Sequence, residues 1–135
     1  MKKPLRLHSF QVGTPPKRGE GLRIATTRHP PRGIPRERWR QEAKFDCWLS
    51  VLAPSRELLA RTPRERFHEA AVRRRFFAAY EREMQQTEPR QAIALLAAMA
   101  QRTPISIGCF CADESRCHRS RLKRLIEQAA AVVRA

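Results

Sequence analysis

The sequence contains few glycines, few lysines and no long run of apolar residues. Its 5 glycines are dispersed over 135 residues, and no glycine-rich loop of the Walker or dinucleotide-binding type precedes a predicted helix. The apolar runs are too short to span a bilayer. Lys2 and Lys3 are not followed by the apolar segment of a secretory signal. We therefore expect an intracellular, cytoplasmic protein with no membrane partner.

Acidic residues are also scarce. The 13 aspartates and glutamates are outnumbered by 28 lysines and arginines, so the formal net charge is +15. This excess favours polyanionic partners, which are an anionic small molecule or, as the alternative, nucleic acid. Almost all of the excess is arginine, which a genome rich in G and C also supplies. Charge by itself therefore predicts only non-specific attraction.

The apolar pattern predicts one α/β domain over residues 1–135. Apolar residues make up 41% of the chain, which is enough for a core. Strands are predicted at residues 4–12, 22–27 and 105–111, and helices are predicted to begin near Ser55, Thr62, Thr87 and Ser115. Residues 13–21 are predicted to form an exposed loop. Because helices separate the strands, we expect a small, mainly parallel sheet covered by helices in a Rossmann-like three-layer fold.

Two segments rich in reactive and charged side chains follow predicted strands. Residues 28–34 follow the second strand, and residues 109–119 follow the last one. Ligands of open parallel sheets bind beyond the carboxyl ends of the strands. The sequence therefore predicts that the two segments share one end of the sheet and form one site there.

Several short motifs occur in a characteristic order along residues 21–131. They are Leu22-Arg23-Ile24 before Arg28-x-x-Pro31-Arg32-Gly33-Ile34, then Phe45-Asp46, Leu52-x-Pro54-Ser55-x-x-Leu58, Phe76-x-x-x-Tyr80-x-x-Glu83, and a strand-borne cysteine before Cys117-His118-Arg119. In this order the motifs resemble the domain-of-unknown-function 488 (DUF488) family. The resemblance implies a small α/β fold without a settled activity. A branch of that family lacks the Cys…Cys-His-Arg element, which implies that the element serves chemistry or binding rather than folding.

Metal binding is one of four interpretations of residues 109–119. Three thiols and an imidazole are zinc ligand types. However, alternate residues on a strand lie ~6.6 Å apart, whereas two sulfurs on one zinc lie within ~4.6 Å. Cys117 and His118 are adjacent on a predicted helix, so their side chains should diverge. The spacing therefore predicts no metal site, and no cofactor is indicated.

Anion binding is the second interpretation. Arg116, His118 and Arg119 lie at the predicted start of the last helix, where cations oppose the helix dipole. A bound phosphate or carboxylate would relieve this conflict and would also use the free backbone N–H groups. Arg28 and Arg32 would contribute from the neighbouring loop. These residues predict a phosphate-bearing or other anionic ligand, such as a nucleotide.

Thiol chemistry is the third interpretation. A helix N-terminus and neighbouring cations lower the pKa of a thiol, so Cys111 is the candidate nucleophile. Cys117 would resolve an oxidised form, and His118 would act as acid or base. Arg116 comes one residue too early after Cys111 to match the loop of the cysteine phosphatases.

A packing role is the fourth interpretation, because free cysteine often behaves as a small buried apolar residue. It applies best to Cys109, which follows two isoleucines on a strand, and to Cys47, between Phe45 and Trp48. The sequence does not decide whether the protein is an enzyme, and it carries no signal for an oligomeric state.

Overall fold

Four parallel strands form the sheet of the protein. The computed structural model describes residues 5–134, with side-chain surroundings up to residue 132. The strands are β1 (Leu7–Gln11), β2 (Leu22–Ala25), β3 (Cys47–Trp48) and β4 (Ile105–Cys109). Their spatial order is β1-β4-β2-β3, and each neighbouring pair is parallel. The predicted α/β class with a parallel sheet is confirmed.

The last strand in sequence lies between two partners in the sheet. All five residues of β4 are buried, and Ile105 pairs with Leu7 on one side and Leu22 on the other. Gly108 is required by its neighbour, because a Cβ at this position would lie 2.3 Å from a ring atom of Phe10. The segment predicted with the clearest strand pattern is therefore the centre of the fold.

Four α-helices cover one face of the sheet. They are α1 (Arg56–Arg61), α2 (Ala70–Glu83), α3 (Thr87–Arg102) and α4 (His118–Arg134). Buried apolar residues of these helices pack against Leu7, Ile24, Ile105 and Ile107 of the strands. Within residues 5–134, no helix combines the length and the apolar character that crossing a bilayer requires.

A thinner helical layer covers the opposite face. It consists of a 3₁₀ turn at Arg36–Arg38 and one π-helical segment at Trp39–Ala43. The rings of Trp39 and Phe45 pack here with Phe10 and Ala25 of the strands. Helical segments thus lie on both faces, which gives the predicted three-layer arrangement.

Of the four predicted helix starts, those at Ser55 and Thr87 are confirmed, α4 begins at His118 rather than near Ser115, and the start at Thr62 is wrong. Ser55 caps α1, because its Oγ accepts a hydrogen bond from the Leu58 N–H at 3.0 Å. The sequence Thr62-Pro63-Arg64-Glu65 matches a capping box, but no such box forms. The Thr62 hydroxyl donates to the Leu58 carbonyl at 2.7 Å, so it completes the end of α1. A 3₁₀ turn at Arg64–Arg66 follows, and α2 begins only at Ala70.

The predicted loop at residues 13–21 is mostly exposed. Its exception is Glu20, which is buried and pairs with the buried Arg23 at 3.2 Å. The guanidinium of Arg23 also lies over the ring of Phe10, 4.1 Å from its centroid. A buried charge needs such partners, so this loop is fastened to the sheet at its final turn.

Candidate functional site

The candidate site lies where β2 and β4 end side by side. Ala25 pairs with Gly108, so the residues after both strands emerge at the same edge of the sheet. Arg28 and His118 line the same cavity there. The predicted meeting of the two loops therefore occurs, and Arg28 is the arginine that provides it.

The connection from β4 to α4 turns sharply and is fastened at two points. Asp113 Oδ1 accepts a hydrogen bond from the Ser115 N–H at 3.0 Å, which begins a 3₁₀ turn at Glu114–Arg116. The hydroxyl of Ser9, on β1, donates to Glu114 Oε1 at 2.7 Å. This turn returns the chain to the strand end, so residues distant along the loop meet.

Three cysteines and one histidine converge at this turn. The sulfurs of Cys109 and Cys111 are 4.0 Å apart, and Cys117 Sγ is 3.7 Å from His118 Nδ1. The ligand atoms of Cys109, Cys117 and His118 lie within 4.8 Å of one another. The spacing argument against a shared ion assumed a strand that continues through Cys111 and a helix that includes Cys117, and neither condition is met. The strand ends at Cys109, and Cys117 has an extended backbone before α4 begins.

Hydrogen bonds fix the orientation of the His118 ring. Its Nε2 lies 2.9 Å from the carbonyl oxygen of Thr26, which can only accept, so Nε2 carries the hydrogen. The Thr26 hydroxyl donates to the Gly108 carbonyl at 3.1 Å and lies 3.2 Å from the same Nε2. Burial lowers the pKa of His118 to about 4. The ring is therefore neutral at pH 7, and the lone pair of Nδ1 faces the sulfurs.

The three thiols differ in how easily they ionise. Hydrogen bonds from the thiols of Cys109 and Cys117, together with nearby positive charge, lower the pKa of Cys111 to about 2. The pKa values of Cys109 and Cys117 are raised, because thiols that donate to a thiolate resist losing their protons. Cys111 is exposed and the other two are buried. The negative charge of the cluster therefore lies on Cys111, its most accessible sulfur.

The buried side chain of Arg119 binds the backbone of the cysteine loop. Its side chain is 3% exposed, and its Nη1 donates to the carbonyls of Cys109 at 3.3 Å and Cys111 at 2.8 Å. The Arg119 Nε has no hydrogen-bond partner among residues 5–134. The structure thus places a buried positive charge directly behind the sulfurs.

A cavity of about 540 Å³, which we call the sulfur pocket, opens onto this cluster. Its polar lining includes Arg28, Arg64, Arg116, Cys109, Cys111, Cys117 and His118. Its apolar lining includes Pro54, Leu59, Phe67, Phe76 and Phe110. Cationic and aromatic side chains therefore line the same open cavity as the sulfur of Cys111.

A family model described as the active DUF488-N3 subclade matches residues 7–130. The chain belongs to the DUF488 family. This confirms the resemblance drawn from the order of its motifs. No curated protein and no solved structure is significantly similar to the chain.

The predicted site residues of this DUF488 protein are only partly gathered in the sulfur pocket. Cys111, Cys117, His118, Arg28 and Arg116 line it. Arg28 also donates to the carbonyls of Ala53 and Pro54, so it is partly engaged. Arg32 and Arg119 do not line the cavity: Arg32 is exposed, and Arg119 is buried behind the loop.

The segment between α1 and α2 also lines the pocket, and its role was not predicted from the sequence. Arg64 and Phe67 line the pocket, and Phe67 packs edge-on against Phe76 with ring centroids 5.4 Å apart. The motifs placed both residues inside a continuous helix. Recognising that Thr62 ends α1 would have predicted the turn that presents them. Cys47 was also misjudged, because it is exposed on the edge strand rather than buried.

Proposed function

We propose that this DUF488 protein binds a small anionic ligand in the sulfur pocket and that Cys111 acts on that ligand as a nucleophile. The observation that carries the proposal is the accessible sulfur of Cys111 in a cavity that Arg28, Arg64 and Arg116 also line. A cavity of this size is typical of small-molecule sites. The protein would bind its ligand at the carboxyl ends of the strands, as parallel α/β proteins commonly do.

The lining favours a ligand that has an apolar or aromatic part besides its negative charge. Phe67, Phe76 and Phe110 offer ring surfaces, while Arg64 and Arg116 offer charged donors. Among the described residues, the side chain of Arg116 makes one ion pair, an exposed contact of 3.7 Å to Asp113, so it can turn towards a ligand. A mononucleotide combines a planar base with a phosphate and therefore matches this combination of side chains.

Cys111 would supply the chemistry. Its sulfur would attack an electrophilic atom of the ligand and displace a leaving group, and water would then release the transferred group and restore the thiol. The matching family model is described as an active subclade, which agrees with a catalytic site. If a peroxide oxidises Cys111 to a sulfenic acid, the thiol of Cys117, which is hydrogen-bonded to Cys111, would form the disulfide and release water.

The test compares an anionic and a neutral alkylating reagent on two exposed thiols of one protein. Chelator-treated protein reacts with iodoacetate or iodoacetamide, and mass spectrometry measures the rates at Cys111 and Cys47. The ratio of iodoacetate to iodoacetamide rates should be about tenfold higher at Cys111. Three arginines and one aspartate line its cavity, whereas Glu37 and Asp46 balance the two arginines around Cys47. Arg116→Gln should reduce the ratio, and Arg124→Gln, on the exposed part of α4, should not.

Protection by candidate ligands completes the test. Inorganic phosphate or adenosine monophosphate should slow alkylation of Cys111 and leave Cys47 unaffected. Equal reagent ratios at the two cysteines, together with no protection by either anion, would refute the proposal.

A nucleic-acid-binding module remains the alternative proposal, and a different pattern of variants would support it. Exposed arginines are widely distributed on this protein, including Arg18, Arg74 and Arg124. If they bind a polyanion collectively, Arg124→Gln should weaken binding of a short RNA as much as Arg116→Gln does, and affinity should fall steeply with salt.

A further inference from the structure

We propose that Cys109, Cys117 and His118 form a binding site for a zinc-like divalent ion, with Cys111 as the fourth ligand. The site shares Cys111 with the proposed nucleophile, but its ligands are sulfurs and an imidazole, whereas anion binding uses the arginines. It also reverses the expectation, drawn from sequence spacing, that no metal site forms. That expectation assumed a strand that continues through Cys111 and a helix that includes Cys117, and the turn after β4 removes both conditions.

The distances match a tetrahedral site. With metal–sulfur bonds of ~2.3 Å and a metal–nitrogen bond of ~2.0 Å, the ligand atoms around zinc lie about 3.5 to 3.8 Å apart. The Cys117 Sγ to His118 Nδ1 distance is 3.7 Å, and the Cys109 to Cys111 sulfur distance is 4.0 Å. The three buried ligand atoms already lie within 4.8 Å of one another. The 4.8 Å limit exceeds the zinc spacing by about 1 Å, so the side chains would contract by up to that amount on binding, and Cys111 would close the fourth position from its contact with Cys109.

The histidine is oriented as metal-binding histidines are. Such a ring usually donates its other N–H to a carbonyl or carboxylate, which fixes the tautomer and the direction of the lone pair. Here Nε2 donates to the Thr26 carbonyl at 2.9 Å, so Nδ1 is the ligand atom. The Thr26 hydroxyl supports the same contact from 3.2 Å. A histidine serving only to fill the core would not need its free lone pair directed at a group of thiols.

The surrounding charges suit an anionic metal cluster. A divalent ion with three thiolates and a neutral imidazole has a net charge of −1. Arg119 lies behind the loop with its guanidinium bonded to the carbonyls of Cys109 and Cys111, and Arg28 lines the open side. These cations offset the charge that burial would otherwise disfavour.

The donor set selects the class of ion. Thiolate and imidazole donors favour zinc and other soft or borderline ions over magnesium and calcium, which prefer oxygen. The fourth ligand, Cys111, is the exposed sulfur and lies at the pocket. A substrate atom or water could replace it on the ion, which would leave three protein ligands and one open position, the pattern of catalytic zinc sites.

Cobalt(II) provides the test, because tetrahedral cobalt–thiolate sites have intense charge-transfer and d–d absorption. Reduced, metal-free protein should bind one equivalent of cobalt with this spectrum, and zinc should displace it. The matched control is Cys47→Ser, which removes a thiol outside the cluster and should bind one equivalent unchanged. His118→Asn and Cys117→Ser should each lose the tetrahedral spectrum or bind at least tenfold more weakly.

X-ray absorption of the zinc-loaded native chain gives a measurement that does not depend on a folded variant. At least two sulfurs and one nitrogen around zinc would support the site. Oxygen-dominated coordination would overturn it, as would a cobalt spectrum that Cys117→Ser leaves intact. Absence of stoichiometric binding by the reduced protein would overturn it equally. None of these results depends on whether the pocket binds an anion, so the two proposals can fail separately.

Discussion

Two hollows of similar volume show how different a cysteine becomes in different parts of one sheet. The sulfur pocket measures about 540 Å³ and the second hollow about 570 Å³. We call the second one the β3 groove, lined by Arg36, Glu37, Trp39, Arg40, Gln41, Asp46, Cys47 and Trp48. Each hollow contains an exposed cysteine, arginines and aromatic rings, so composition alone does not distinguish them.

The two exposed thiols nevertheless have opposite properties. Partial burial of the thiol and the nearby carboxylate of Asp46 raise the pKa of Cys47. Two donor thiols and nearby cations lower the pKa of Cys111. Cys47 belongs to a strand of two residues at the edge of the sheet, whereas Cys111 follows the central strand. Position in the fold, through the neighbours that it supplies, therefore determines whether the pKa of an exposed thiol is raised or lowered.

The largest expected effect comes from removing Arg119, the buried arginine behind the cysteine loop. Arg119→Ala leaves the buried carbonyl of Cys109 and the part-buried carbonyl of Cys111 without their charged donor, so we expect a loss of about 3 kcal/mol in the free energy of unfolding. The matched change in the β3 groove, Arg40→Ala, breaks an exposed ion pair with Asp46 and should cost about 0.5 kcal/mol. Urea denaturation of both variants measures the difference, and equal losses would contradict the role assigned to Arg119.

The next effect concerns the pH dependence of alkylation in chelator-treated protein. Because the pKa of Cys111 is lowered, its thiolate is already formed below neutral pH, and its alkylation rate should be nearly flat from pH 5 to 8. Cys47, whose pKa is raised, should react about tenfold faster with each added pH unit across this range. Iodoacetamide labelling with peptide mass spectrometry gives both rates. Parallel profiles would show that the two thiols share one environment.

The smallest effect is expected at Thr26. Thr26→Val removes the hydroxyl that donates to the Gly108 carbonyl and supports the His118 ring. Losing one such hydrogen bond should cost about 1 kcal/mol, and Thr26→Ser, which keeps the hydroxyl, should cost less. Thermal unfolding compares the two variants. A larger loss in Thr26→Ser than in Thr26→Val would mean that the methyl group, rather than the hydroxyl, is what this position requires.

Much of the fold was predictable because local pattern and tertiary position agree. The apolar run from Ile105 became the central strand, and the serine at position 55 caps a helix as its sequence context indicates. The capping box at Thr62 failed because the preceding helix uses the same hydroxyl. Sequence spacing alone does not show whether a side chain ends one helix or caps the start of the next.

The site was predictable in its location but not in its geometry. The carboxyl ends of parallel strands meet, so Arg28 and His118 were placed near one another correctly. The meeting of the sulfurs depends on where β4 stops and on the turn at Asp113. An ideal strand through Cys111 would have separated the same atoms, so two residues of strand length decide whether a cluster forms.

The most direct test of the sulfur pocket is a nuclear magnetic resonance titration of the metal-free, ¹⁵N-labelled protein with adenosine monophosphate. If the pocket is the ligand site, amide shifts should concentrate at residues 26–29, 64–67 and 109–118, and they should shrink in Arg116→Gln. The indole signals of Trp39 and Trp48 in the β3 groove should not move. Shifts centred on those indoles, or spread evenly over the basic surface, would contradict the assignment of the sulfur pocket as the ligand site.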